Sequence, residues 1–240
     1  NCWPIIRRNY YSANRPAPVI LIPKSHKGRE AMIRMKAIWI LLIGLALLPG
    51  ACLDLKQPRH KIYFYSLEYD PPRMQGLQPV AVVIKVEPFS VSPMYNNRNI
   101  IYRDKAYQKA AYTYHKWRTN PGDTVTYFLV RDMQQSRLFK AVLTRSSRFP
   151  YDYVLEGSVD QFLEFDAQDG CQAVLALSIT LMAEHETDMG QKIRLQKSYQ
   201  MNRPCQQKNP EALAKAMSRA MAEASEKIIK DVLEKITDHQ

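Results

Sequence analysis

An α/β fold is what this 240-residue chain predicts, and three patterns carry that expectation. Val80 to Val86 is an almost continuous β-branched run, as in a strand covered on both faces. Tyr151 to Phe165 alternates apolar and polar residues, as a half-buried strand does. Two segments, from Asp123 to about Leu138 and from Asn209 to Ile236, repeat apolar residues at helical spacing.

The first apolar segment reads as an export signal rather than as part of the fold. Met35 to Cys52, MKAIWILLIGLALLPGAC, has a basic start (Arg34, Lys36) and a 12-residue apolar run, Ala37 to Leu48. About 20 residues are needed to span a bilayer, so this run suits a cleavable signal rather than an anchor. Pro49, Gly50 and Ala51 lead a peptidase to Cys52, whose thiol is the expected lipid acceptor. The competing readings are a buried core helix, or a signal with an incidental cysteine. On the signal reading Met32 or Met35 is the start, residues 1–31 lie outside the native protein, 32–51 are the signal peptide and 52–60 a tether. The alternative for 1–31 is a basic tail. Leu53 after the cysteine, rather than aspartate, points to an outer-membrane lipoprotein facing the periplasm.

Removing the signal changes the charge argument. Residues 1–51 hold eight Lys/Arg and one acid, Glu30. Of 34 basic and 23 acidic residues, 26 and 22 remain, a net of +4 instead of +11. That balance, without a basic run, does not argue for a nucleic-acid partner, and none is expected. The remaining length suits one domain, 61–240, with a core of its own.

The elements of that domain follow in order. Lys61 to Tyr69 is an aromatic strand broken by Asp70-Pro71-Pro72. After Val80 to Val86 comes a loop with Pro88 and Pro93, then strands at 100–104 and near 108–115. Asp123 or Thr124 caps the mid-chain helix, whose stripe is Val125, Phe128, Leu129 and Met133. Residues 136–143 end that helix and enter a strand. In 151–165, Tyr153, Leu155, Val159, Leu163 and Phe165 share one parity; Glu156, Ser158, Asp160 and Glu164 share the other. Asp169-Gly170 turns the chain into a strand beginning at Cys171, and Thr187 to Gln191 turns it again, with Gly190 left-handed. The next strand ends at Cys205. In the last helix Asn209 caps, Pro210 fills the first turn, and Leu213, Met217, Ala220, Met221, Ala224, Ile228, Val232 and Ile236 form one stripe.

Two cysteines, Cys171 and Cys205, face an oxidising compartment if the chain is exported. A hairpin turning about residue 188 sets them opposite each other, about 4.5–5.5 Å apart, which a disulfide accepts. Two free thiols are the alternative. No metal, cofactor or catalytic constellation is read: HExxH, GxSxG and a phosphate-binding glycine loop are all missing from the sequence. His185 with Glu184, Glu186 and Asp188 is a hairpin tip. Tyr102, Tyr107, Tyr112, Tyr114 and Trp117 crowd one stretch, either as core packing or as a partner-binding surface.

The order of IYFYSLEY (62–69), VAVVIKVEPFSV (80–91), IIYRD (100–104), YTYHKW (112–117), QSRLFKAV (135–142) and YVLEGSVDQFLEFD (153–166), closed by the amphipathic helix, resembles the ABC-type transport auxiliary lipoproteins. That group includes the paraquat-inducible outer-membrane lipoproteins. The Trp117 to Pro121 segment departs from its usual pattern, and the cysteine pair is not a family trait. The resemblance implies a three-layer α/β domain, with a mixed, largely antiparallel sheet flanked by the mid-chain helix and the long C-terminal helix. It also implies a non-enzymatic subunit, oligomeric and lipid-anchored. Its partners would be an ABC transporter permease and ATPase and a mammalian-cell-entry-domain protein, and its cargo phospholipid. The alternative is a lipoprotein that itself holds a lipid or other apolar ligand in a cleft.

Overall fold

The computed structural model describes residues 34–36, 38–40, 60–167 and 170–238. Residues 34–36 and 38–40 are helical; no described helix is long and apolar enough to cross a membrane. Cys52 and His239 lie outside the described residues.

From residue 60 onward the chain forms a nine-stranded mixed sheet with helices packed on it, as the fold class predicts. Its strands are β1 (Tyr63–Tyr65), β2 (Val80–Val86), β3 (Ser90–Val91), β4 (Asn99–Lys105), β5 (Gln108–Trp117), β6 (Phe139–Thr144), β7 (Tyr153–Ala167), β8 (Gly170–Ala183) and β9 (Ile193–Pro204). Its helices are α1 (Pro121–Ser136), the single turn α2 (Met189–Lys192) and α3 (Pro210–Thr237).

The long strand β7 organises the sheet. Along one edge it pairs antiparallel with β8, which pairs antiparallel with β9. Along the other edge three strands share it in parallel: β2 at Tyr153–Leu155, β3 at Ser158–Val159 and β4 at Leu163–Phe165. The sheet then widens through β2 to β6 at one end, and through β4 and β5 to β1 at the other.

A bulge splits β7. Val159 faces Leu177 and Gln161 faces Ala176, so Asp160 is an extra residue. Its carboxylate accepts hydrogen bonds from Ser158 Oγ (2.7 Å) and Ser178 Oγ (2.6 Å). One extra residue inverts the alternation. Leu155 and Val159 point toward the helices, but beyond the bulge Phe162 and Glu164 do so, opposite Leu175 and Ala173. The parity expected from the sequence therefore fails for Leu163 and Phe165, which turn to the other face.

The helices close the core. All eight residues of the α3 stripe are fully buried, against β8 and β9. Asn209 Oδ1 accepts the Ala212 amide at 2.8 Å, and Pro210 sits in the first turn. Tyr199 on β9 donates its hydroxyl to Asp231 on α3 at 2.6 Å. Helix α1 begins earlier than expected. Asn120, not Asp123 or Thr124, caps it, accepting the Gly122 amide at 2.9 Å. Pro121 and Gly122 are its first residues. A side chain at Gly122 would run into the Phe89 carbonyl and the Val91 side chain, so only glycine lets the start of α1 approach β3 this closely.

Two further expectations are corrected. Only Tyr63–Tyr65 of the 61–69 segment is strand; beyond it the chain lifts off the sheet, and the Glu68 amide donates to Ser218 Oγ on α3 at 3.0 Å. Gly190 is not left-handed, because Asp188 caps the helical turn α2 instead. The β8–β9 register brings Cys171 and Cys205 together as a disulfide, with Cα atoms 5.3 Å apart.

Candidate functional site

The aromatic stretch that stands out in the sequence is divided by the fold among four environments. Tyr107 is at the β4–β5 hairpin tip and 103% exposed. Tyr114, 39% exposed, stacks on His60 with ring centres 4.5 Å apart. Tyr102 and Tyr112 are half-buried neighbours, 5.1 Å apart. Trp117 is not a surface residue: it is 4% exposed and stands edge-on to Phe162 at 5.1 Å. An apolar residue opposite the start of α1, on the helix side of the sheet, is drawn into the core.

Tyr112 leads to a buried acid. Its hydroxyl donates to Glu164 Oε2 at 2.9 Å, while Oε1 of the fully buried Glu164 has no partner among the described residues. Burial raises the Glu164 pKa above its ordinary 4.5; the Tyr112 hydrogen bond opposes that, and nearby Asp166 adds to it. The folded state thus holds its proton more tightly than the unfolded chain. The stability gained is full below pH 4.5 and is lost as pH rises through the folded value. Glu164→Gln should therefore match the parent in stability at low pH and exceed it by about 1–2 kcal/mol near pH 7. Urea titrations across pH check this; a constant difference at all pH would reject it.

Beside Trp117 lies an aromatic groove that sequence reading missed. It measures 610 Å³ and runs between the lifted segment Tyr65 to Tyr69 and the flank of α1. Tyr65, Tyr69, Trp117, Tyr127 and Phe128 give it an apolar lining, with Arg118 and Arg131 among the residues around it. Tyr127 is 65% exposed.

A buried polar knot holds the groove together. Asp132 on α1 is fully buried. It accepts hydrogen bonds from the Tyr69 hydroxyl at 2.7 Å and from Arg131 Nε at 2.9 Å, and Arg131 Nη2 lies 2.7 Å away as an ion pair. Arg131 also donates to the Tyr69 carbonyl at 3.1 Å and lies 4.4 Å from the Tyr69 ring centre and 4.6 Å from that of Phe128. Burial, and then the Asp132 charge, push the Tyr69 phenol pKa far up, so it stays a donor. The only local sequence signal is a charged pair, Arg131-Asp132, beside the apolar stripe of a helix.

Among the described residues no three His, Cys, Asp or Glu side chains group as a metal site would require. Asp132, Arg131 and the Tyr69 hydroxyl are committed to one another, and five aromatic side chains line the rest of the groove together with Arg118 and Asp123.

Against known families, residues 65–229 match the model described as ABC-type transport auxiliary lipoprotein component. The chain belongs to that family. The match runs from the first strand to the last turns of α3 and so takes in the groove, the hairpin and Glu164. Among solved structures, protein XCC0632 from Xanthomonas campestris is similar with a TM-score of 0.64 and 19% identity, covering 75% of this chain and 98% of that one. A second structure has a TM-score of 0.56 and 16% identity, covering 72% and 99%. At such identities the likeness is one of fold. No curated protein matches the chain. As a member of this family the chain is an auxiliary component of ABC-type transport and an envelope lipoprotein.

Proposed function

We propose that this protein is a lipid-anchored periplasmic subunit, without catalysis of its own, that docks a mammalian-cell-entry-type protein and its ABC transporter during phospholipid movement. The export signal and Cys52 supply the anchor, at the outer membrane. The family match supports the transport association. The docking surface rests on one observation: Tyr107 is wholly exposed at a hairpin tip, where a tyrosine stabilises nothing within the domain. Tyrosine brings large apolar area and a polar end to an interface at low entropic cost. Tyr114 lies on β5, the strand that follows this tip.

Tyr107→Ala is expected to change unfolding free energy by less than about 0.5 kcal/mol. It should weaken capture of the mammalian-cell-entry partner at least ~10-fold. Capture at the parental level would rule out the hairpin tip as the contact.

The groove favours a second reading, in which the domain itself holds an apolar ligand. Mass spectrometry of the purified domain separates the two, since co-purified lipid belongs only to the second.

A further inference from the structure

The β1 edge carries another exposed cluster, which the docking reading leaves unused. Among the described residues β1 pairs only with β5, so its outer edge is open. Phe64, 39% exposed, faces Lys116 in the register. The guanidinium carbons of Arg98 and Arg118 stand 5.6 Å and 5.3 Å from its ring centre. Lys61 Nζ is 5.1 Å from the ring centre of Tyr63. Lys61, Arg98 and Arg118 are exposed and Lys116 half-buried. None of the four forms an ion pair with a carboxylate among the described residues.

Cations that form no ion pair, set around exposed rings, match the chemistry of a bilayer surface; Glu68 and Glu211 share one depression with Phe64 and Arg118. Aromatic rings partition to the headgroup level, long basic side chains keep their charges in water, and anionic lipids attract them. Chain length adds a second argument. His60 is eight positions after Cys52, and eight residues reach at most about 29 Å. A lipid on Cys52 therefore keeps this edge of the domain close to the membrane.

We infer that Phe64 with Lys61, Arg98, Lys116 and Arg118 rests on the anionic headgroups of the bilayer that holds the anchor. This deepens the lipoprotein reading and rests on its anchor at Cys52. The lipid orders the protein weakly by itself, through a tether. The basic aromatic edge adds a second membrane contact and fixes which side of the sheet faces the lipid.

The test uses residues 60–240 without the anchor. Every buried core side chain among the described residues lies between Leu67 and Ile236, within this segment. It is sedimented with vesicles of phosphatidylglycerol and phosphatidylethanolamine, and with vesicles of phosphatidylcholine and phosphatidylethanolamine. Binding is expected on the anionic vesicles alone, falling as salt rises. Arg98→Gln with Arg118→Gln should weaken it ~30-fold. Lys227→Gln with Lys230→Gln, the same charge change on α3, should leave it unchanged, and circular dichroism confirms that each variant folds. No binding, equal binding to both vesicle types, or a fully binding Arg98/Arg118 variant overturns the proposal; the last would leave an acidic protein partner as the occupant. Lipidation of Cys52 is read separately, from the mass of the native protein, so the anchor and the surface can fail independently.

Discussion

Replacing Trp117 with alanine is expected to cost about 3–5 kcal/mol of unfolding free energy. That is a large share of the ~5–15 kcal/mol a domain has. The indole is 4% exposed and wedged edge-on against Phe162; the backbone amide of Trp117 donates to the Arg98 carbonyl at 2.8 Å, a bond that alanine keeps. Trp117 also faces Tyr65 across β1, so a cavity there loosens the groove and the edge strand together. Circular dichroism is the probe to use, because Trp117 is the only tryptophan after Cys52. Partner capture should fall only as far as the folded fraction falls and return on cooling. Were Trp117→Ala to lose capture while keeping stability within ~1 kcal/mol, the indole would be a contact residue and its core assignment wrong.

The second large effect is expected at Asp132. Alanine there leaves the Tyr69 hydroxyl and the Arg131 guanidinium without their acceptor. Removing one partner of a buried pair costs about 3–5 kcal/mol. The Arg131 side chain keeps 19% of its surface, which lets water take over in part, so the lower end is expected. Asp132→Asn keeps an acceptor and should cost less. Tyr69→Phe in the Asp132→Ala background should add much less than it does alone, since both act on one contact. A fully additive double mutant, measured by urea unfolding, would show that the knot is not a unit.

How much was legible follows the range of each pattern. Helix α3 repeats over 28 residues with a cap, a proline and an unbroken stripe, so local rules suffice. The β8–β9 register follows from a short turn between two alternating strands. Asn120 was missed because Pro121-Gly122 resembles a loop signal as much as a first turn. The Asp160 bulge was missed because an extra residue leaves no mark on alternation until its partner strand is known. Glu164 then reads as an outward polar position and is instead fully buried. The groove was illegible for a different reason: its walls come from residues 65–69, 117–119 and 123–131, and no periodicity spans them.

The bulge in β7 works like a frame shift in a text read two letters at a time. Before Asp160 the strand borders β2 and β3; after it, β4. A two-residue insertion or deletion within either half keeps that half's code in frame, and even deletion of Asp160 would leave Phe162 opposite Leu175; forcing Asp160 into the ladder is what would expose Phe162 and send Leu163 into its place. The two ends of the sheet can therefore drift apart in sequence, with one bulge keeping both readable against β8.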